Sequence, residues 1–537
     1  MTVVPERTSV LIAGGGPVGL AAAVELGSRG IDCVVVEPRT TVSRARPRCK
    51  TVNARTMEHL RRWGIADRLR ERSPLPVSWS SDVVFCTSLA GHELSRFSGV
   101  LGLEIGDRSP EPGQQAPQYV LEELLREVVD ELAGAALVAG ASVVDLEQDE
   151  HEVRATVETP SGDRHGITAD FVLGCDGPRS VVRDRIGSAY VGERALRPNF
   201  GMVFHAPGLW DVVRHGPAVQ YWTVNPDAPA LSGPIDRDGT WWTIAFGVDR
   251  ADGAARGRDI IDAVAGVPVD ATVRSTDPWT ARMQLVDRAR VGRVFLAGDA
   301  AHLNPPFGGH GLNTGIGDAV DLGWKLAALL QGWGGAALLD SYDAERRPVQ
   351  DRVIREAERN MRTLSGELLD AHLDRDDAAG ERARHAAHAR IQETKHGEFH
   401  ALDLVLDTVH DSPVIVPPER PEGGDGVVTG ARLPHRWLSP GHALYDALGP
   451  GFTLLTPPGP DPAADELVRV ARARHVPLSV LDRPPRGPSD RYVLVRPDQH
   501  VAWCGARIPA EATALLDHVR GAAAPVRTHA RRSPAFR

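Results

Sequence analysis

The N-terminal forty residues alternate between apolar runs and a turn rich in glycine. Residues 8–13 are apolar and β-branched, which is typical of a strand that is buried on both faces. Glycines follow directly, residues 17–29 have helical spacing, and Cys33–Glu37 is a second apolar run. A strand, a helix and a parallel strand within about 30 residues form a βαβ unit. The pattern therefore predicts a Rossmann-like α/β domain.

Further along the chain the pattern changes. Residues 118–132 have helical spacing, and residues 135–175 indicate a small antiparallel meander. From about residue 190 to 285, apolar and polar positions alternate and aromatic residues are frequent, which is typical of strands with one buried face. Residues 291–330 return to strand, turn and helix, and residues 341–411 are strongly helical. We therefore predict a mixed fold with both α/β and α+β parts.

Composition excludes several classes of protein. The net charge of −10 argues against nucleic acid or an anionic membrane as a partner. The five cysteines include no C-x-x-C pair, which argues against a disulfide framework or a zinc site and fits a reducing cytoplasm. No apolar run reaches the roughly 18 residues of a membrane span, and no signal peptide is evident. We expect a cytoplasmic protein with no metal, membrane or nucleic-acid partner.

A dinucleotide-binding loop follows the first strand. Gly14, Gly16 and Gly19 form G-x-G-x-x-G between the strand and the helix, and Glu37 ends the second strand. The glycines allow a tight turn, a close approach of the backbone to a pyrophosphate and close packing of helix on strand. The helix N-terminus attracts phosphate, and a carboxylate at the second strand accepts hydrogen bonds from ribose hydroxyls. A carboxylate there favours FAD or NAD over NADP.

Two later motifs point to a family. The first is C-D-G-P-R-S-V-V-R at residues 175–183, and the second is G-D-A-A-H at 298–302 followed by P-P-F-G-G-H-G-L-N-T at 305–314. Together with the glycine turn, in this order over residues 5–390, they resemble the group A flavoprotein monooxygenases. These are the para-hydroxybenzoate hydroxylase and phenol hydroxylase family. The chain has His310 where that family often has glutamine.

The resemblance implies FAD as the cofactor and assigns residues to it. In the family, the aspartate of the G-D motif binds the flavin ribityl chain, the Pro-Pro-x-Gly-Gly segment lines the reactive face, and the next helix start holds the carbonyl side of the ring. A reduced flavin carries negative charge at that edge, which a helix N-terminus stabilises. The residues that we expect to bind FAD are Gly14, Gly16, Pro17, Val18, Gly19, Glu37, Pro38, Arg48, Gln118, Val143, Asp176, Asp299, Pro306, Gly309, Gly311, Leu312 and Asn313.

The resemblance also implies the reaction. We expect NAD(P)H to reduce FAD, dioxygen to form a flavin 4a-hydroperoxide, and a phenolic or other electron-rich aromatic ring to be hydroxylated by it. With one complete fingerprint in the chain, NAD(P)H is expected to dock without a Rossmann domain of its own. The expected partners are a small aromatic substrate, dioxygen and a second copy of the chain in a homodimer.

The substrate is expected between the Pro305–Gly309 segment and the aromatic sheet. The candidate wall residues, of which alternation puts about half on the pocket face, are His205, Tyr221, Trp222, Trp241, Trp242 and Phe246. No catalytic residue is established. The candidates are His205, Tyr221 and His310. His310 is either a neutral substitute for glutamine or a titratable group near the flavin.

Residues 428–520 resemble the thioredoxin-like domain of phenol-hydroxylase-type members. Only Cys504 lies within them, so we expect a structural or oligomer-forming role. The expected organisation is an FAD-binding domain at 1–75, 110–185 and 286–345; a substrate domain at 76–109 and 186–285; a helical segment at 346–411; a linker at 412–427; the thioredoxin-like domain at 428–520; and a tail at 521–537.

Three alternatives remain open. A flavin-dependent halogenase would need an active-site lysine and a W-x-W-x-I-P segment. The segment Trp241-Trp242-Thr243-Ile244 resembles that motif only superficially. Baeyer-Villiger-type or other oxygenation of a polycyclic aromatic natural product is compatible with the same fold. A flavin-binding scaffold or sensor would be yellow and would consume no NAD(P)H with any phenol.

Overall fold

A computed structural model describes residues 4–45, 50–193, 197–361, 365–417, 426–482 and 491–522. The chain forms two compact units. The first comprises Met1–Val320 with Pro348–Asp407, and the second comprises Asp321–Arg347 with Thr408–Arg537.

A largely parallel sheet lies at the centre of the first unit. Its apolar strands are buried on both faces, as the sequence predicts. Two further strands, Ser142–Gln148 and Val153–Glu158, form the predicted meander with the long strand Arg164–Gly174. The order across the sheet is Arg290–Val291, Val294–Leu296, Arg164–Gly174, Arg7–Ala13, Cys33–Glu37 and Ala135–Ala139, and only the first of these strands runs antiparallel to its neighbour.

A second, mostly antiparallel sheet has seven strands. Their order is Thr272–Thr280, Pro198–His205, Thr240–Phe246, Ala230–Pro234, Gln220–Thr223, Val83–Cys86 and Glu93–Phe97. Because side chains alternate along a strand, the sheet has two distinct faces. One face packs against the helix Arg250–Ala265, and the other packs against Phe307 and the helix Ala378–Phe399.

The remaining elements of the first unit connect these sheets. The helices are Pro17–Gly27, Ala54–Arg62, Ala66–Arg72, Gln118–Glu131, Val181–Arg185, Leu209–Val212 and Leu402–Leu406. One small sheet pairs Thr51–Val52 with Gln114–Gln115. In another, Met283–Val286 lies between Tyr190–Glu193 and His302–Leu303 and pairs with both. The single-turn 3₁₀ helices are Val100–Gly102, Gly106–Arg108, Gly298–Ala300 and Ser365–Leu368.

Two long helices are shared between the units. They are Gly311–Leu330 and Ala337–Met361. Pro348 lies inside the second helix, so the border that we expected at residues 345 and 346 falls within a continuous helix. Proline removes one backbone donor but does not always end a helix whose other contacts hold it. None of the described helices is both long and apolar enough to cross a membrane.

The second unit contains a four-stranded sheet in the order Leu478–Asp482, Phe452–Thr456, Tyr492–Val495 and Val501–Gly505. The first two strands are parallel, and Tyr492–Val495 runs antiparallel to both of its neighbours. The helices Pro462–Ala473 and Ala512–Val519 pack together, and Leu467 and Leu516 are buried in one core with Leu454. A βαβ unit followed by a hairpin and a helix is the predicted thioredoxin-like arrangement. The hairpin Trp437–Ser439/His442–Ala443 and the 3₁₀ helix Leu444–Ala447 precede it.

Candidate active site

The glycine turn has the shape that a dinucleotide requires. A Cβ on Gly14, whose φ is +101°, would lie 2.4 Å from the carbonyl oxygen of Cys175. A Cβ on Gly19 would lie 1.9 Å from the Gly14 carbonyl oxygen. A Cβ on Gly16, by contrast, would have no neighbouring atom within 4 Å. Gly14 and Gly19 therefore serve close packing, and Gly16 leaves the backbone at the N-terminus of helix Pro17–Gly27 open to a phosphate.

The three sequence motifs converge around this turn. Gly14 packs against Cys175 at the start of the second motif, and the Cys175 N–H donates to the Ala13 carbonyl oxygen over 2.8 Å. Val18 packs against two glycines in and just after the motif at residues 298–314. A Cβ on Gly298 would lie 2.9 Å from the Val18 side chain, and a Cβ on Gly315 would lie 2.6 Å from it. Segments that are far apart in sequence thus build one cleft.

Glu37 ends its strand beside the glycine turn, as expected. Its carboxylate accepts a hydrogen bond from the Gly15 N–H over 2.7 Å and pairs with Arg39 over 2.6 Å. Arg39 also pairs with Glu122, which accepts from the Gln118 amide over 2.6 Å. This chain of contacts links Gln118 to the dinucleotide turn and fixes the buried Glu37 carboxylate at the end of its strand.

Asp176 contributes a carboxylate that is only partly used by the protein. Its Oδ2 accepts from the Val182 N–H over 3.1 Å, whereas the buried Oδ1 has no partner among the described residues. Burial raises the pKa of this carboxyl, against hydrogen bonds from Ser180 and from nearby backbone N–H groups. A buried acceptor without a donor is costly, so this atom suits a ligand hydroxyl.

Asp299 is exposed on the short Gly298–Ala300 turn, which buried groups hold in place. The Tyr190 hydroxyl donates to the Asp299 carbonyl oxygen, and the Arg183 guanidinium stacks on the Tyr190 ring at 4.0 Å. Asp318, fully buried, accepts from the Gly298 N–H over 3.2 Å. The Asp299 side chain is therefore accessible on a rigid turn.

The Asp318 carboxylate also binds two other side chains. It contacts His302 Nε2 at 3.0 Å and accepts from the Gln350 amide over 3.1 Å. No local sequence pattern singled out Asp318. It sits on the helix that starts at Gly311, and only the tertiary structure brings it under the turn.

Asn313 fastens the loop before that helix through its side chain. Its amide nitrogen donates to the Thr51 and Gly309 carbonyl oxygens over 2.9 and 2.8 Å. Its amide oxygen accepts from the Asn53 N–H over 2.9 Å and from the Thr56 hydroxyl over 2.8 Å. All four hydrogen-bonding positions of the Asn313 side-chain amide are therefore used within the protein.

His310 precedes the helix and is buried. Burial lowers the pKa of its imidazole to about 4, and Nε2 has no partner among the described residues. The ring lies over Gly308, where a Cβ would come within 2.5 Å of Nε2. At neutral pH the side chain is therefore a neutral imidazole that fills space beside the loop.

The loop meets the aromatic sheet through Phe307. Its ring centroid lies 6.0 Å from that of Trp222 and 5.9 Å from that of Phe246. Tyr221 and Trp241 are buried on the opposite face, in the core under helix Arg250–Ala265. Among the expected wall residues, strand alternation thus places Trp222 and Phe246 on the face that meets the loop, and Tyr221 and Trp241 on the other face.

Two of the catalytic candidates, Tyr221 and His205, have no described contact with the Pro305–Gly309 loop. The Tyr221 hydroxyl donates to the Gly216 carbonyl oxygen over 2.5 Å and accepts from the Ala218 N–H over 2.9 Å, which commits it to a local turn. His205 ends the strand Pro198–His205, opposite Thr240 and Thr272. The structure gives neither residue a catalytic contact.

The other expected cofactor residues lie in loops, at helix starts and in one strand. Pro38 and Pro306 are exposed, and Gly311 and Leu312 form the first turn of the long helix, where N–H groups have no intrahelical acceptor. Pro17 begins its helix, and Val143 is buried in Ser142–Gln148. Arg48 lies outside the described residues.

A dinucleotide turn, together with a loop that contacts aromatic side chains through Phe307, is typical of one class of protein, the flavoproteins. Residues 7–357 match the model of the FAD binding domain family, and residues 427–523 match that of the aromatic-ring hydroxylase C-terminal domain. The chain belongs to the family of FAD-dependent aromatic-ring monooxygenases and is a flavoenzyme of the aromatic-hydroxylase type.

Known relatives resemble the chain over nearly its whole length. The tetracenomycin B2 monooxygenase-dioxygenase of Streptomyces olivaceus is 31% identical, over 95% of this chain and 97% of the relative. The 2,4-dichlorophenol 6-monooxygenase of Delftia acidovorans is 30% identical, over 93% and 95%. The solved structure of the rebeccamycin biosynthetic enzyme RebC with reduced flavin has a TM-score of 0.89 and 33% identity, covering 97% of this chain and 100% of that one. The expected family, fold and cofactor FAD are thereby confirmed.

Proposed function

We propose that the protein hydroxylates a phenolic or other electron-rich aromatic compound, with dioxygen as oxidant and NAD(P)H as reductant. Bound FAD supplies the oxygen chemistry, since flavins activate dioxygen after reduction. The observation that carries the proposal is the contact of Phe307 with Trp222 and Phe246, because it joins the loop of the expected reactive face to an aromatic surface.

The cofactor assignment rests on the residues of the cleft. Gly16 and the N-terminus of Pro17–Gly27 would bind the pyrophosphate, Glu37 a ribose, and Asp299 the ribityl chain. The first turn of Gly311–Leu330 would hold the carbonyl edge of the flavin, where its partial positive charge stabilises an anion. Asp176 has one buried acceptor atom without a partner among the described residues, which could accept a hydrogen bond from a hydroxyl of FAD or of NAD(P)H.

The substrate would lie on the loop-facing side of the aromatic sheet. Trp222, Phe246 and Phe307 would form an apolar wall that excludes water and orients a flat ring. We place neither Tyr221 nor Trp241 in this wall, because both pack in the core on the other face. A covalent intermediate with a side chain is not required.

A screen of phenols tests the proposal. The FAD-loaded enzyme is incubated with each phenol, and NAD(P)H oxidation is followed together with hydroxylated product by mass spectrometry. We expect one class of ring to accelerate NAD(P)H oxidation and to gain one oxygen atom. A yellow protein that oxidises no NAD(P)H with any ring would instead fit a scaffold or sensor.

A second candidate is oxygenation of a polycyclic natural product, including insertion into a ring ketone. The similarity to the tetracenomycin and rebeccamycin enzymes favours it. Product analysis separates the two reactions, because insertion converts a ketone into an ester or lactone whereas hydroxylation leaves the ring carbon skeleton intact.

The cellular setting is also a proposal. The four cysteines among the described residues are free thiols, which supports a reducing compartment such as the cytoplasm. We further propose a homodimer, which light scattering of the holoenzyme would test.

A further inference from the structure

The chain has only three lysines, and all three are buried. Lys325 pairs with Asp321 at 2.9 Å and with Glu345 at 3.0 Å. Lys395 pairs with Glu398 at 2.7 Å. Lys50 has no carboxylate partner among the described residues, although a buried cation without a counter-ion is costly.

Lys50 instead reaches the antiparallel sheet with its amino group. The Nζ atom donates to the Val219 carbonyl oxygen over 2.6 Å and to the Pro234 carbonyl oxygen over 3.2 Å. It also lies 4.9 Å from the centre of the Trp242 ring. An ammonium has three donors, so one N–H bond has no acceptor in the part of the chain that the structure describes.

A second donor without a partner lies beside Lys50 Nζ, and we call the space around these two donors and Gly233 the Lys50 niche. The indole Nε1 of Trp242 is buried and finds no acceptor among the described residues. A Cβ on Gly233 would lie 3.1 Å from this nitrogen and 3.2 Å from Lys50 Nζ. The two donors therefore lie close together beside Gly233, where only a glycine fits because a Cβ would also come within 2.7 Å of the Val219 carbonyl oxygen.

The niche adjoins the loop of the expected reactive face. Thr51, next to Lys50, accepts from the Asn313 amide over 2.9 Å, and a Cβ on Gly309 would lie 3.3 Å from the Thr51 side chain. Trp242 shares its sheet face with Phe246, which contacts Phe307. An oxygen bound by Lys50 and Trp242 would thus belong to a ring close to that loop.

We propose that Lys50 and Trp242 bind the reactive oxygen of a phenol, with Lys50 accepting its proton. The O–H bond breaks, the proton forms the third N–H bond of the Lys50 ammonium, and the phenolate accepts hydrogen bonds from Lys50 Nζ and Trp242 Nε1. This inference rests on the proposed function. It adds the group that ionises the substrate.

The chemistry favours a phenol over a carboxylic acid at this position. Burial lowers the pKa of Lys50 to about 7, so a neutral amine is available near neutral pH to take up a proton. The resulting phenolate supplies the counter-ion that Lys50 lacks, and its charge increases electron donation into the ring. A carboxylate would satisfy the cation but would withdraw electrons from the ring.

The test compares Lys50→Met with the wild-type holoenzyme, using 4-nitrophenol and its methyl ether 4-nitroanisole as probes. The nitro group makes the phenol a poor substrate, and its anion has a visible absorption band. At a pH where the free phenol is mostly protonated, we expect the wild type to bind it with the band of the anion. We expect the ether to bind about tenfold to a hundredfold more weakly than the phenol, because losing a hydrogen bond to a charged group usually weakens binding by that factor.

In Lys50→Met the anion band should disappear and the preference for the phenol over the ether should fall close to one. Trp242→Phe keeps the ring but removes the indole donor, so it should reduce the preference without abolishing the band. A wild type that binds no 4-nitrophenol, or binds it only as the protonated phenol, contradicts the proposal. Equal preferences in the wild type and Lys50→Met also contradict it.

A stability measurement separates this role from a structural one. Lys50→Met removes a buried charge without leaving a carboxylate unpaired, so its denaturation midpoint should match or exceed that of the wild type. Lys395→Met is the matched control, because it leaves Glu398 buried without its cation and should lower the midpoint. If Lys50→Met lowers the midpoint as much, Lys50 is a structural link between two carbonyls and the proposal fails.

These results remain distinct from a failure of the proposed function. An enzyme that hydroxylates phenols with FAD but ignores the Lys50 substitution overturns the Lys50 assignment alone. A protein that binds no FAD or hydroxylates nothing overturns the proposed function.

Discussion

His310 shows how burial decides the chemistry of a single residue. The sequence left two interpretations, a neutral substitute for glutamine or a titratable group beside the flavin. The structure buries the ring against Gly308 and lowers the pKa of its imidazole to about 4, because the charged form would lose its hydration. Burial therefore favours the interpretation as a neutral substitute for glutamine, with no pH switch near neutrality.

Replacing His310 with glutamine should leave the pH dependence of the hydroxylation rate unchanged near neutral pH. Stability should respond instead. As the pH falls from 6.5 towards 4, the unfolded imidazole binds a proton that the folded one does not, so the wild type should lose roughly 3 kcal/mol relative to His310→Gln. Urea unfolding across this range measures the difference. Parallel stability curves for the two proteins would show that the folded imidazole titrates normally.

Helices, strands and turns could be predicted where a short stretch of sequence determines them. The strand Cys33–Glu37 and the glycine turn were predicted because strand burial and glycine geometry are encoded within a few residues. The roles of Asp318 and of the Asn313 side chain were missed, because their partners lie elsewhere in the chain; Asn53, for example, is 260 positions from Asn313. Which face of the strand Thr240–Phe246 meets the loop likewise depended on what packs against each side.

The start of helix Gly311–Leu330 depends on the Asn313 amide. Asn313→Ala should lower the free energy of unfolding by roughly 2–4 kcal/mol, because it leaves several buried backbone groups without partners. It should also weaken FAD binding, since the loop would no longer be held against the segment at Thr51. Denaturant midpoints and FAD titration measure both effects.

Asn304→Ala is the matched control, because the only side-chain hydrogen bond of Asn304 to another described residue is the one it donates to the adjacent Pro305 carbonyl oxygen over 2.8 Å. It should cost much less stability. Equal losses in the two variants would mean that the Asn313 network does not hold the loop.

On the scale of the whole molecule, the second unit has a buried charge network. Arg496 contacts Asp321, Glu345 and Asp498 at 3.2, 2.7 and 2.5 Å, and all four side chains are buried. Burial alone would raise the pKa of Asp498, yet the Arg496 guanidinium holds it well below its usual range. The three carboxylates lie close enough to hold a cation, but Arg496 and Lys325 already supply positive charge.

Arg496→Leu should destabilise the second unit by about 3–5 kcal/mol, because it leaves buried carboxylates without their main counter-ion. Hydrogen exchange in peptides from the strands Phe452–Thr456 and Val501–Gly505 should accelerate. Arg469→Leu is the control in the same unit, since its pair with Glu466 is on the surface, and it should leave exchange almost unchanged. Unaltered exchange in Arg496→Leu would show that the network does not stabilise this unit.

We propose that flavin bound at the Gly14–Gly19 turn and the Gly311 helix start transfers an oxygen atom from dioxygen to an aromatic ring. The decisive measurement is turnover of the FAD-loaded enzyme under ¹⁸O₂ with NAD(P)H, followed by mass spectrometry of the product. Each hydroxylated product should contain one ¹⁸O atom. A product that carries only oxygen from water, or NAD(P)H oxidation that yields only hydrogen peroxide with every ring, would contradict it.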